Sequence, residues 1–221
     1  MAPNKLAERF YETWERCTDG ESDPSPIWRV VQYRYSEPHR YYHTLGHIAQ
    51  CLTELDTARD RIGEFDATEL AIWFHDVIYN YGAKDNEELS AVAFKEHANG
   101  HMAPELTERV NQLILATKHT GFAEDEGVAY MVDIDLSGFG LPWEGYLADS
   151  DALRLEAPSE VSDEKYYGGK LRFLDELQSW DSLFQTPHFR ERLEATAQAN
   201  IARYAGELRE QGFGELRAGG G

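Results

Sequence analysis

Two residues that can both hold a metal stand side by side at His75-Asp76, directly after the apolar run Ala71-Ile72-Trp73-Phe74. An imidazole and a carboxylate beside Trp73 and Phe74 are costly to bury unless something satisfies them. His47 comes earlier, in RYYHTLGHI, and Asp135 later, in VDIDLSGFG. Two imidazoles and two carboxylates suit zinc or a divalent first-row metal, with coordination positions left open for water or substrate. Neighbours on a helix point about 100° apart, yet a long His and a short Asp can still converge on one ion. The competing reading is plain core chemistry, because a single buried His is usually hydrogen-bonded and a His-Asp pair is common by chance.

Other groups stand near these four. His43 lies four residues before His47 and shares its helix face if the helix has already begun. The pair is HxxxH without the Glu of the HExxH zinc site, since position 44 is Thr. His43 therefore reads as a substrate contact or a support for a ligand, or simply as a helix-start residue. Arg40 is a phosphate partner or a surface arginine. Glu87 can orient water or a ligand His, or it belongs to a solvated helix face. Glu88 is accounted for by a capping box opened at Asp85.

The elements that must carry these residues are helical. Leu6, Phe10, Trp14 and Cys17 recur at helical spacing, as do Ile48, Cys51, Leu52 and Leu55. The capping box predicts a helix from about Asp85 to about His97. Leu106, Val110, Leu113 and Ile114 form the next stripe, and Phe189 to Leu208 the last, with Leu193, Ala197 and Ile201 on one face. Pro104, Pro142 and Pro187 read as first-turn prolines. No stretch alternates with a period of two, so the expected fold is all-α, a single helical domain. LEAPSEVSDEKYYGGK, Leu155 to Lys170, is less regular and reads as a long connection, either a loop near the site or only a surface connection.

Composition excludes some partners. The 221 residues suffice for one sizeable core, and 42% are apolar. With 40 acidic against 21 basic residues the formal charge is -19. That argues against nucleic-acid polymers and anionic membranes. Cys17 and Cys51 form no CxxC pair and read as reduced core residues. No segment resembles a signal core or a membrane span, so a cytoplasmic protein is expected.

The order His47, His75-Asp76, Asp135 resembles the HD-domain superfamily of metal-dependent phosphohydrolases. RYYHTLGHI, WFHDVIYNYGAKDNEELSA, ATKHT and DIDLSGFG together resemble its bacterial branch of predicted metal-dependent HD phosphohydrolases, over about Val30 to Tyr204. The resemblance implies an HD-type helical bundle with a core of about 30–204; the RAGGG end, 217–221, reads by its composition as a frayed tail. The resemblance also implies His47, His75, Asp76 and Asp135 as ligands of one divalent transition metal: Mn, Co, Ni, Zn or Fe. Within DID the family pattern favours Asp135 over Asp133. His119 is implied near the site, with Lys118 beside it as a phosphate partner. Two departures are visible. Ala157 follows Arg154-Leu155-Glu156 where the pattern has an aromatic, and Lys170 follows Gly169 where it has Arg.

The activity implied is hydrolysis of a phosphate ester or anhydride of a small, nucleotide-like substrate by metal-activated water. Asp76 and Asp135 would also accept protons, with His119 and Glu87 assisting. Arg40, His43, Lys118 and Lys170 would contact substrate. Two alternatives stand beside it: a diiron HD-fold oxygenase, and a non-catalytic nucleotide-binding module.

Overall fold

The computed structural model describes residues 3–20, 22–119, 121, 123 and 125–214. The expected frayed tail, 217–221, lies outside them. The described residues form α-helices and no strand, as the absence of alternation predicts: α1 (Pro3–Cys17), α2 (Ser25–Arg34), α3 (Leu45–Thr57), α4 (Phe65–Phe74), α5 (Asn86–Ala98), α6 (Pro104–Ala116) and α7 (Glu126–Asp135). A 3₁₀ turn over Leu136–Gly140 follows, then α8 (Trp143–Glu156), α9 (Asp163–Gln178) and α10 (Pro187–Glu210). The chain groups into two compact units, one ending at Asp135 and the other beginning at Leu136.

The first unit is built around α4. Every residue of this helix from Ala67 to Phe74 is buried, which marks a helix packed on all sides. Phe10 of α1 and Trp28 of α2 meet Trp73 edge-on, with ring centroids 5.5 Å and 5.9 Å apart. Phe74 meets Phe94 of α5 at 5.1 Å. One carboxylate is buried with them: Glu69 accepts from Arg9 and Arg16 of α1. Arg9 also forks onto Asp56 of α3 at 2.6 Å and 2.9 Å. A buried charge needs this kind of pairing, and the pairing ties α1 to α3 and α4.

Helix ends depart from expectation in two places. Asp85 does occupy the cap position of α5, but its side chain makes no capping bond. Glu88 pairs with Lys118 just beyond the end of α6. The stretch Leu155 to Lys170 is not a long loop. α8 runs to Glu156 and α9 starts at Asp163, with the Ser162 hydroxyl accepting from Lys165 N at 3.3 Å. The serine cap sets the start of α9, and Gly168-Gly169 are carried inside it. Pro104 and Pro187 open α6 and α10, whereas Pro142 is the cap residue of α8.

In the second unit the 3₁₀ turn lies on α10. Asn200 donates to the carbonyls of Phe139 at 2.9 Å and Leu141 at 2.8 Å. Gly140 permits the approach, since a Cβ there would stand 2.7 Å from Leu193 Cβ. Lys170 of α9 lies over the Phe173 ring, 5.7 Å from its centroid. No helix among the described residues is long and apolar enough to cross a membrane.

Burial pushes the Lys170 ammonium down from 10.5 to about 8. Keeping it charged at neutral pH then costs up to about 3 kcal/mol. A lysine whose folded pKa is depressed destabilises the fold below that pKa, and the penalty fades as pH rises towards the unfolded value. Lys170→Met should therefore raise the unfolding free energy at pH 7, with the gain shrinking between pH 8 and pH 10. Denaturant titrations across that range measure it, and a gain independent of pH would contradict the burial argument.

Candidate metal centre

Four helix ends supply the centre. His47 sits in the first turn of α3, whose cap is Thr44, accepting from Gly46 N at 3.1 Å. His75 is the C-terminal cap residue of α4, Asp76 follows it, and Asp135 is the last residue of α7. His119 lies just beyond α6. Three of these ends are C-termini, whose partial negative charge favours a cation.

The ligand atoms converge. One nitrogen each of His47 and His75 and one Asp135 oxygen lie within 4.8 Å of one another. His47 Nε2 is 3.2 Å from His75 Nε2 and 3.1 Å from Asp135 Oδ1. His75 Nε2 is 3.4 Å from Asp135 Oδ1 and 3.0 Å from Asp76 Oδ2. Asp76 Oδ2 also stands 3.8 Å from His47 Nε2. Metal–ligand bonds of about 2.1 Å give polyhedron edges of about 3.0 Å in an octahedron and 3.4 Å in a tetrahedron. The contacts among His47, His75 and Asp135, 3.1 Å to 3.4 Å, match those edges, so these three donors fit one divalent ion; Asp76 lies beside them, at 3.8 Å from His47 Nε2. The ring of His75 is turned correctly for it: Nδ1 donates to the Ile72 carbonyl at 2.9 Å, which leaves Nε2 with its lone pair. Asp76 and Asp135 keep 13% and 14% of their side chains exposed, so solvent reaches the cluster.

Electrostatics respond to the crowding. Burial alone would push the His75 imidazole down, but Asp76 and Asp135 together hold it well above 6.5. Burial alone would raise both carboxylates, yet His75 foremost, with the other imidazoles, holds Asp76 and Asp135 well below the usual carboxylate range. Without metal, the cluster thus favours a protonated imidazole between charged carboxylates.

A second ring of residues surrounds these. His119 Nε2 contacts Asp135 Oδ2 at 2.9 Å, opposite the oxygen that faces His47 and His75. It does so from a left-handed backbone, φ 53°, a conformation that costs a non-glycine residue on the order of 1 kcal/mol. His43 precedes the cap of α3, so HxxxH is not one helix face. Its Nε2 stands 3.9 Å from Asp76 Oδ2, and its ring stacks on Tyr79 at 3.9 Å. Tyr42 lies over His47, 4.9 Å between centroids. Neither tyrosine is singled out by sequence, because aromatic stacking has no spacing signature. Cys51 Sγ is 3.6 Å from His47 Nε2. Burial, then Asp135 and Asp76, push its thiol well up, so it stays protonated. Both cysteines are free.

The remaining candidates have contacts of their own. Lys118 pairs with Glu88 and donates to the Lys84 carbonyl at 3.1 Å. The bond to Glu88 chiefly, and Glu87 and Asp85 beyond it, raise its pKa. Glu87 is half-buried in the first turn of α5. Lys170 belongs to the second unit, and Arg154 pairs with Asp163 at 2.7 Å. Arg40 is no surface arginine: its side chain is wholly buried. Of the two acids in DID, Asp135 joins the cluster while Asp133 is buried outside it.

No family model matches the chain, and neither a curated protein nor a solved structure matches it.

The geometry predicts different consequences for the two acids. Asp135→Asn should weaken metal binding about 100-fold or more, while His119→Ala should cost about 10- to 100-fold through loss of the ligand's partner. Asp133→Asn should change affinity little. Isothermal titration with zinc or cobalt measures all three, and equal losses at Asp133 and Asp135 would contradict the assignment. Because Asp76 and Asp135 hold the His75 imidazole above its usual range without metal, metal binding at neutral pH should release protons. Calorimetry in buffers of different ionisation enthalpy counts them.

Proposed function

We propose that this chain is a metal-dependent phosphohydrolase of the HD-domain type, cleaving a phosphate ester or anhydride of a small, nucleotide-like substrate. One observation carries the reading: two imidazole nitrogens and a carboxylate oxygen within 4.8 Å of one another, beside a second carboxylate and partly open to solvent. His47, His75, Asp76 and Asp135 would hold one divalent transition metal, drawn from Mn, Co, Ni, Zn and Fe. When bound, the metal lowers the pKa of its water towards about 7 and polarises the phosphoryl oxygens.

The chain's own groups then have distinct tasks. Asp76, exposed on one side, can accept a proton from the attacking water. His43, 3.9 Å from Asp76 Oδ2, is in place to take that proton onward or to donate to a phosphate oxygen. His119 fixes Asp135. Lys118 is engaged by Glu88, so the imidazoles are the nearer groups for offsetting phosphoryl charge. A chain of charge -19 needs such local positive centres to admit an anion.

The contact of His119 with Asp135 Oδ2 also supports a second reading, a diiron oxygenase, in which that imidazole joins a second ion. A phosphate-release screen separates the readings. It covers nucleotides, cyclic dinucleotides and sugar phosphates, each with manganese, cobalt, nickel, zinc and iron. The expected outcome is metal-dependent phosphate release that falls about 100-fold or more in Asp76→Ala. Two irons per chain with oxygen consumption would favour the oxygenase, and tight nucleotide binding without turnover would favour a binding module.

A further inference from the structure

The segment from Asp76 to Asn80 leaves α4 and has no regular structure, yet it carries Asp76 and Tyr79 into the centre. Val77 N still donates to the Phe74 carbonyl at 3.0 Å and Asn80 O accepts from Ala83 N at 3.1 Å, but several other backbone groups are satisfied by side chains. Ser90 of α5 accepts from Ile78 N at 3.0 Å and donates to Ile78 O at 3.2 Å. Asn86 accepts from Asn80 N at 3.0 Å and donates to Asn80 O at 3.1 Å. The Tyr79 carbonyl meets His39 Nε2 at 3.1 Å. The two carbonyls nearest the metal ligands go to one residue. Arg40 donates to Asp76 O at 2.6 Å and to Val77 O at 3.1 Å.

The same guanidinium reaches the other side of the centre. It donates to the His43 carbonyl at 3.3 Å, and its Nε donates to Glu37 Oε2 at 3.1 Å. The rings of Tyr35 and Tyr79 lie against it, 5.2 Å and 5.7 Å from its central carbon. A planar fork with fixed donors can join three carbonyls at set angles, which a lysine ammonium on a flexible stem cannot. A side chain with no exposure and four of its donor contacts committed has another duty than meeting substrate.

We propose that Arg40 is the positioning residue of the centre: its guanidinium locks the main chain at Asp76, Val77 and His43, and so aims the Asp76 carboxylate and the His43 imidazole at the ion site. The inference rests on the metal reading above. It predicts that Arg40→Ala keeps a helical circular-dichroism spectrum but binds cobalt at least about ten-fold more weakly. The visible cobalt absorption should change in intensity as the Asp76 ligand is lost. Arg40→Lys should not restore either property. Added guanidinium ion at millimolar concentration should restore cobalt affinity to Arg40→Ala but not to Asp76→Ala, which a merely structural role would not produce. Wild-type affinity and spectrum in Arg40→Ala would overturn the inference and leave the metal reading standing. A wild-type chain that binds no cobalt would overturn the metal reading itself. Should Arg40→Ala fail to fold, Glu37→Gln loosens the guanidinium without removing it. Several-fold weaker cobalt binding is then expected, and unchanged binding would overturn the proposal.

Discussion

Two imidazole nitrogens 3.2 Å apart, flanked by two carboxylates, form the contact on which the first unit depends. Two lone pairs repel at that distance, and so do two N–H groups. Two carboxylates in a largely buried setting repel as well. A hydrogen bond from one ring's N–H to the other's lone pair relieves the first repulsion, and a positive charge at the centre, a proton or a metal ion, relieves both. The helix ends are arranged to accept that charge, with the C-termini of α4 and α7 delivering His75 and Asp135. Much of the surrounding structure serves to keep these two imidazoles and two carboxylates together.

The frame that resists this repulsion is aromatic and ionic. Trp73 and Phe74 at the end of α4 are held by Phe10, Trp28 and Phe94, so His75 has a rigid base. The buried Glu69, bound by Arg9 and Arg16, fixes the other side of the same helix to α1. Irregular backbone after α4 lets Asp76 turn back towards His75 and His47, and Arg40, Ser90 and Asn86 bond to main-chain groups that have left the helix. Order is thus passed from core to ligand by side chains once the helix has ended.

What could be read from sequence was what had a chemical type or a period. His47, His75, Asp76 and Asp135 stand out because few residue types bind metals. The helices stand out because apolar residues recur every three or four positions. Asp135 differs from Asp133 by register alone: one faces the cluster and the other does not, and only the family pattern favoured one over the other. Arg40 was unreadable, since its partners are main-chain carbonyls at positions 43, 76 and 77, which leave no mark in side-chain identity. Glu88 looked like a cap because its true partner, Lys118, is thirty residues away. The start of α9 was hidden by Pro158 and the glycine pair, which suggested a loop where the Ser162 cap begins a helix.

X-ray diffraction at the absorption edge of a metal soaked into the protein tests the central claim most directly. The account predicts one strong anomalous peak about 2.0–2.2 Å from His47 Nε2, His75 Nε2 and Asp135 Oδ1, with Asp76 in contact from the exposed side. Saturating metal with no peak there, or peaks confined to surface carboxylates, would contradict it.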